Sequence, residues 1–298
     1  MAEKFDYKVF FTRLKEKLFD DDIIGNAAQV AFYFSFALFP LLLFLMTLLG
    51  ILLSDKQELQ TELFNILAQV MPPSAYELVS KTLTEVTSNA SGGKLSIGIL
   101  ITLWSASAGF DNMRGTLNEV YNLKETRSWL RAKLTSLGLT IVVGILILTA
   151  LAFIVYGSQF LDAALPVDSP YLLAALQWIV VLAVALMAFA LIYNLAPNND
   201  PLQWRWITPG ALAGVLLWLI FSGAFRIYLS YFDSYAATYG SLGAMIILLL
   251  WLYITALVIL IGGAVNAILD EQSGIRDKAE DAKQIREEKA GSGKNSKT

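Results

Sequence analysis

The sequence predicts an all-α, polytopic membrane protein with six transmembrane helices. Of its 298 residues, 56% are hydrophobic and only 16% are charged, whereas a soluble domain has about 25% charged residues. The apolar residues also occur in blocks, most of which reach the ~20 residues needed to span ~30 Å of hydrocarbon. The expected spans are about residues 27–53, 95–110, 134–161, 172–195, 207–229 and 242–269.

The spans divide the chain into three parts. Residues 1–21 are expected to form an amphipathic helix, because Val9, Phe10, Leu14 and Leu18 recur on one side. Residues 22–269 form one membrane domain, and Asp20–Asp22 can cap its first helix. Residues 270–298 balance seven acidic against seven basic side chains and predict a disordered or loosely helical tail.

The distribution of lysine and arginine predicts the orientation. Eighteen of the 22 Lys and Arg residues lie in the N-terminal arm, the even-numbered loops and the tail, while three lie in odd-numbered loops and Arg226 lies in a span. Basic residues concentrate on the cytoplasmic side of membrane proteins. Both termini are therefore predicted to be cytoplasmic, and the first span is expected to be a retained anchor.

Composition also excludes several kinds of chemistry. The chain has no cysteine and no histidine, which removes disulfides, thiolate nucleophiles and the commonest metal ligand and general base. A P-loop and an acidic pair at motif spacing are also absent. We therefore expect no catalytic residues, no metal site and no cofactor. The mild net charge of −3 does not resemble a nucleic-acid-binding surface.

The longest loop, Ser54–Lys94, is expected to be an extracytoplasmic amphipathic helical hairpin between the first two spans. Apolar residues at helical spacing mark each half, and Met71–Pro73 interrupts them. The hairpin either packs on the outer face of the bundle or acts as a lid over a cavity.

Polar residues in the first span share one face. Asn26, Gln29, Tyr33, Phe36 and Pro40 follow spacings of three and four, which place them on one side of a helix. We expect this face to point into the bundle and Pro40 to kink the helix. The polar groups would either form interhelical hydrogen bonds or line a polar cavity.

The second span is the most irregular, since residues 95–110 are short for the membrane and contain small residues from Ser105 to Gly109. A polar stripe follows, formed by Ser107, Asp111, Arg114 and Asn118. One interpretation is a helix that turns along the cytoplasmic surface, with Asp111 paired to Arg114. The other is a broken helix that lines a substrate site beside the first span, again with Arg114 paired to Asp111.

In the last span, Gly240 and Gly243 permit tight packing, and Asn266 shares a side with Gly262. The candidate cavity-lining residues are Asn26, Gln29, Tyr33, Pro40, Ser105, Ser107, Asp111, Arg114, Asn118, Tyr239, Gly240, Gly243 and Asn266.

Three segments, residues 27–45, 103–122 and 234–267, together resemble the YihY/BrkB family of bacterial inner-membrane proteins, sometimes labelled ribonuclease BN. The matching residues are Ala27, Ala28, Tyr33, Pro40, Trp104, Ser105, Ser107, Leu117, Asn118, Tyr121, Tyr235, Tyr239, Gly240, Ser241, Leu242, Gly243, Trp251, Tyr253 and Asn266. Members often carry a glutamate two residues before this asparagine, where the chain has Ala264. That difference weakens any proton-coupling role at this position.

The resemblance implies a six-helix membrane protein of the cell envelope with a possible role in lipid handling. The nuclease label finds no support, because a metal-dependent nuclease needs clustered carboxylates or histidines. The leading hypothesis is a non-enzymatic inner-membrane protein that moves or accommodates a lipid or another amphiphile. The alternative is a scaffold that docks an envelope-assembly partner through the hairpin or tail, or self-associates.

Overall fold

The computed structural model describes residues 6–19, 22–52, 93–164, 169–199, 204–231 and 241–273. Regular structure in these residues is entirely α-helical, which agrees with the predicted all-α class. The helices are α1 Tyr7–Phe19, α2 Ile23–Leu52, α3 Gly93–Ala106, α4 Ala108–Val120, α5 Trp129–Ala164, α6 Pro170–Leu195, α7 Pro209–Tyr231 and α8 Ser241–Gln272. Residues 54–92 of the predicted 54–94 hairpin, Tyr239, Gly240 and the tail beyond residue 273 lie outside the described residues.

Four helices of the described part are long and apolar enough to cross a membrane. The stretches are Trp129–Ile154, Tyr171–Leu195, Pro209–Leu229 and Met245–Gln272. The first begins five residues earlier than the predicted span at 134, because Lys133 is buried and paired inside the bundle and does not end the helix. A chain with several such helices is a polytopic membrane protein.

Helix α2 packs through its small and apolar side chains, not through its polar face. Ile23, Ala27, Val30 and Ala37 are buried, whereas Gln29 and Tyr33 are exposed. The prediction that the polar face points into the bundle is therefore wrong. Lipid tails are as apolar as a protein core, so close approach of small residues decides which face of a membrane helix is buried.

The core forms where α4 lies among α2, α5 and α8. Met113 and Leu117 of α4 are fully buried beside Val30 of α2 and Leu260 of α8. Helices α5 and α6, α6 and α7, and α7 and α8 pack side by side around this centre. The bundle thus surrounds a short amphipathic helix whose apolar side is completely covered.

Two aspartates start helices as N-caps. Asp6 accepts hydrogen bonds from the backbone N–H groups of Lys8 at 2.8 Å and Val9 at 3.3 Å, at the start of α1. Asp22 accepts one from Gly25 at 3.2 Å, at the start of α2. Free N–H groups at helix starts favour such caps, so the predicted capping of the first span near Asp20–Asp22 is confirmed.

Helix α1 is attached to the bundle by one buried lysine. Lys17 is 7% exposed, and its ammonium group donates to the carbonyl oxygen of Val120 at 2.8 Å. The carbonyl groups at a helix C-terminus carry partial negative charge, so a cation there is stabilising. On the surface, Arg13 of α1 also forms an ion pair with Glu271 of α8.

The second predicted span, residues 95–110, covers α3 and the first residues of α4, and the two helices meet at Ser107. Helical hydrogen bonds continue across the junction, from Ser107 N to Leu103 O at 3.0 Å and from Asp111 N to Ser107 O at 2.9 Å. Thus the backbone is not frayed there. Phe110 contacts Phe34 of α2, with ring centroids 5.6 Å apart, and Glu119 contacts Asn26. These contacts show that α4 runs antiparallel to α2 within the bundle, which excludes a separate surface helix.

Candidate functional site

A buried lysine holds the junction between α3 and α4. Lys133 of α5 donates from its ammonium group to Ser107 Oγ at 2.7 Å and to Asp111 Oδ2 at 2.6 Å. A longer contact of 3.4 Å reaches the carbonyl oxygen of Trp104. A charged group in a membrane domain is costly unless it is paired, and here all three ammonium hydrogens have an acceptor.

Ser107 makes this junction possible because its side chain is short and both donates and accepts. It is fully buried, and its hydroxyl donates to Trp104 O at 2.7 Å while accepting the hydrogen bond from Lys133. A larger residue would displace the ammonium group from this position. Ser107, one of the small residues noted in the sequence, thus leaves space for the Lys133 ammonium group.

One tryptophan lies over the lysine of this ion pair, and a second tryptophan packs beside the first. The Lys133 ammonium lies 4.3 Å from the centroid of the Trp104 ring, within the range of a cation–π interaction. The Trp104 and Trp129 rings are 5.8 Å apart and are 46% and 70% exposed. Ile101, three residues before Trp104 and therefore on the same face of α3, is also exposed. The outward surface is therefore apolar and aromatic, with an ion pair directly beneath it. We call Trp104, Ser107, Asp111, Trp129 and Lys133 the junction site.

A second polar cluster centres on Glu125, in the loop between α4 and α5. Its carboxylate accepts hydrogen bonds from Arg127 Nε at 2.8 Å and Nη2 at 2.9 Å, and from Asn118 Nδ2 at 3.1 Å. It also forms an ion pair with Arg114. Arg127 continues to the carbonyl oxygens of Leu195 and Ala196 at the end of α6. The Glu125 carboxylate thus links α4 and, through Arg127, the C-terminal end of α6.

A tight turn brings Glu125 back over α4. Asn122 has φ 51°, and the backbone N–H groups of Asn122 and Leu123 donate to Glu119 O and Asn118 O. This is the Schellman pattern, in which asparagine tolerates the left-handed conformation. The chain reverses after α4, and Glu125 thereby reaches Arg114.

The surroundings of Glu125 lower the pKa of its carboxyl group. Burial opposes ionisation, but hydrogen bonds from Arg127 and the positive charges of Arg127 and Arg114 outweigh burial and lower the pKa from 4.5 to about 2. Glu125 is therefore ionised at any physiological pH. The cluster acts as a permanent electrostatic connection between helices.

A third buried network joins α7 to α8. Asn266 accepts a hydrogen bond from Gly210 N at 2.7 Å and donates to Thr208 Oγ1 at 2.9 Å. Thr208 also caps α7 by accepting from Ala211 N at 3.0 Å. Asn266 is 2% exposed. Its role in this structure is to hold two helices together, and its amide faces no open space here.

The structure separates residues that the sequence placed together. Asn26 Nδ2 lies 3.4 Å from Glu119 Oε2. Within the described chain the Asn26 side chain makes no hydrogen bond to Ser107, Asp111 or Arg114. The predicted pairing of Asp111 with Arg114 is wrong, because Asp111 pairs with Lys133 and Arg114 with Glu125. Asp111 of α4 pairs with a cation of α5, and Arg114 of α4 pairs with a carboxylate of the following loop, so neither charge is paired within α4.

The remaining predicted residues are distributed over several environments. Ser105 is exposed on α3 with its hydroxyl bonded to Ile101 O, α2 continues through Pro40, and Gly243 is buried in α8. Asn118 is buried in the Glu125 cluster, where it also accepts a hydrogen bond from Asn198 N at 2.7 Å. Among the candidates that the structure describes, Ser107 and Asp111 meet at the junction site, and Arg114 and Asn118 meet at Glu125.

Sequence reasoning missed the partners of these residues. Lys133 and Arg127 were counted only among the basic residues that predict orientation, and Glu125, Asn198 and Thr208 were not considered. One signal was available, since Lys133 lies four residues after Trp129 and so shares a helix face with it. Its choice of Asp111 on another helix required the fold.

A helical chain with several membrane-crossing helices, polar clusters that join helix ends, and an ion pair beneath an outward aromatic surface belongs to the class of polytopic α-helical membrane proteins. The chain is a member of the BrkB family, because the family described as Virulence factor BrkB matches residues 14–286. This confirms the family resemblance found in the sequence.

Curated relatives cover most of the chain. YfkH of Bacillus subtilis, named as a ribonuclease-like protein, is 36% identical over 260 residues, which is 85% of this chain and 92% of YfkH. A UPF0761 membrane protein of Idiomarina loihiensis is 28% identical over 219 residues, 72% of this chain and 74% of the relative. Another from Pseudoalteromonas translucida is 25% identical over 260 residues, with coverages of 85% and 83%. No solved structure matches the chain.

Proposed function

We propose that this protein is a non-enzymatic, multi-pass protein of the bacterial inner membrane that moves or accommodates a lipid or another amphiphile. The junction site carries the proposal. An ion pair in which Asp111 is partly exposed lies beneath an aromatic and apolar outward surface. A lipid has the same two parts, because its headgroup needs charged partners and its chains need an apolar surface.

Two further observations support a non-enzymatic role. The chain has no histidine or cysteine, and within the described ranges no group of three acidic, histidine or cysteine side chains could hold a metal ion. The acidic residues of the polar clusters are instead bonded to arginine, lysine or asparagine. The ribonuclease-like name of YfkH is therefore not extended to this chain.

Lipid movement can be measured by reconstituting the protein into liposomes with fluorescent lipids and quenching the label from outside. We expect the quenched fraction of the fluorescence to exceed the fraction of labelled lipid that starts in the outer leaflet. Lys133→Met should slow it by about tenfold, corresponding to about 1.4 kcal/mol of lost headgroup interaction. Lys8→Met, which removes an exposed lysine of α1, is the matched control and should not change the rate. Quenching limited to the outer leaflet across a lipid panel would exclude translocation.

The topology we propose has six spans, with both termini cytoplasmic and the 54–94 loop outside. The distribution of lysine and arginine supports it. A membrane-impermeant thiol reagent should label single cysteines at Asn65 or Ser88 in intact cells but not at Ser292. The absence of native cysteine gives the experiment no background. Labelling at Ser292 before the cells are opened would reverse the orientation.

A scaffold role is the second candidate, and the outward polar face of α2 favours it. Gln29 and Tyr33 are exposed, and neither side chain makes a hydrogen bond within the described chain. A membrane helix can satisfy such groups by packing against a partner helix. A photoreactive residue at Tyr33 distinguishes the candidates, since docking predicts crosslinks to one discrete protein and lipid handling predicts crosslinks to lipid.

A further inference from the structure

The charges of the junction site define which headgroup it can hold. Lys133 and Asp111 contribute one positive and one negative charge with their nearest charged atoms 2.6 Å apart. Another charged residue of α4, Arg114, is paired with Glu125, which also binds Arg127. Arg131 of α5 is exposed. Because Lys133 and Asp111 carry opposite charges, the pair itself has no net charge.

We propose that the junction site binds the headgroup of a zwitterionic, amine-bearing phospholipid, with the lipid ammonium on Asp111 and the lipid phosphate on Lys133. The inference rests on the proposed function and specifies its substrate class. An anionic headgroup could use Lys133 but would be repelled by Asp111, and a headgroup with only a cation would leave Lys133 unpaired. A zwitterion satisfies both side chains at once.

Both Asp111 and Lys133 can form a hydrogen bond to a lipid headgroup. Asp111 is 30% exposed at its side chain, and its bond to Lys133 uses Oδ2, so within the described chain Oδ1 has no donor. The contact from Lys133 to Trp104 O is the longest of the three that the ammonium makes, at 3.4 Å. A phosphate oxygen would be a stronger acceptor for that hydrogen, because charge-assisted hydrogen bonds are shorter and stronger.

The two tryptophans fit the same headgroup. Indole faces attract ammonium groups, and exposed indoles favour the level of lipid headgroups in a membrane. Trp129 is the first residue of a membrane-crossing stretch, and Lys133 follows one helical turn later. The exposed Ile101, on the same face of α3 as Trp104, provides an apolar surface for the acyl chains. The site is therefore amphipathic in the same sense as the lipid.

Native mass spectrometry of the full-length protein in detergent tests the inference with phosphatidylethanolamine, phosphatidylglycerol and diacylglycerol that carry the same acyl chains. We expect phosphatidylethanolamine to bind about tenfold more tightly than either of the others. Asp111→Asn, which keeps the size of the side chain, should abolish that preference. Glu119→Gln removes another carboxylate from α4, one that contacts Asn26, and should leave the preference unchanged.

Trp129→Leu provides a second variant, because the side chain is exposed and its replacement does not disturb the core. It should weaken phosphatidylethanolamine binding by about threefold to tenfold through loss of the aromatic contact. Equal affinity for the three lipids in the unaltered protein, or an unchanged preference in both Asp111→Asn and Trp129→Leu, would overturn the inference.

The binding experiment and the liposome experiment fail separately. If the protein translocates lipids but shows no headgroup preference, the proposed function stands and the proposed substrate class is wrong. Selective binding without translocation shows that the site holds a stationary lipid, which removes movement but not the headgroup assignment.

Discussion

Replacing Gly210 with alanine is expected to prevent stable folding. A Cβ atom on Gly210 would overlap the carbonyl oxygen of Gly262 and would lie 2.5 Å from Asn266 Cγ. Both obstacles are fixed, because one is helical backbone and the other is the amide that joins α7 to α8. The two helices would have to separate, at a cost of about 3 kcal/mol or more.

Gly223→Ala is the matched control for this substitution. Gly223 lies in the same helix, and nothing is within 4 Å of the position its Cβ would take. Alanine is favoured over glycine in a helix by about 0.5–1 kcal/mol, so this variant should be as stable as the parent or slightly more so. Melting measured by size-exclusion chromatography after heating reports both. Equal melting of Gly210→Ala and Gly223→Ala would show that α7 and α8 do not cross this closely.

Glu125→Gln should be the most destabilising change among the charged loop residues. It leaves Arg114 and Arg127, whose side chains are only 14% and 18% exposed, without a counter-charge. Uncompensated cations in such positions cost about 2–3 kcal/mol. Arg13→Ala breaks the Arg13–Glu271 pair, in which both side chains are 44% exposed, and should cost ~0–1 kcal/mol.

The pH dependence gives an independent test of the Glu125 cluster. The pKa of Glu125 is about 2 in the folded protein, below its ordinary value of 4.5. Its contribution is therefore fully present above pH 4.5 and is lost as the pH falls toward 2. The stability difference between the parent and Glu125→Gln should be constant from pH 5 to 8 and should shrink below pH 4.5. A difference that grew on acidification would contradict the assignment.

Membrane character and family could be predicted from the sequence because both depend on local patterns. Long apolar blocks need no knowledge of neighbouring helices, since each must satisfy its backbone hydrogen bonds within itself in lipid. The stretches found in α6 and α7 match the predicted spans within two residues at their starts. The caps on α1 and α2 are local for the same reason.

The direction in which each helix face points could not be predicted from local patterns. Asn26, Gln29 and Tyr33 do share a face, but polarity was the wrong guide to where that face points. In water, burial follows hydrophobicity, whereas in lipid it follows packing. Apolar residues of α2, among them the small Ala27, Ala31 and Ala37, are the ones buried against the core.

The sequence by itself determined that this chain is an α-helical membrane protein of the BrkB family. It also identified the few polar side chains in and beside the spans. Only the tertiary structure decided how the charges pair. Asp111 and Lys133 are 22 residues apart and Asn266 and Gly210 are 56 apart, so no helical periodicity relates them. Their pairing follows from which helices are neighbours, because a charge inside a bundle must take the closest opposite charge that the packing offers.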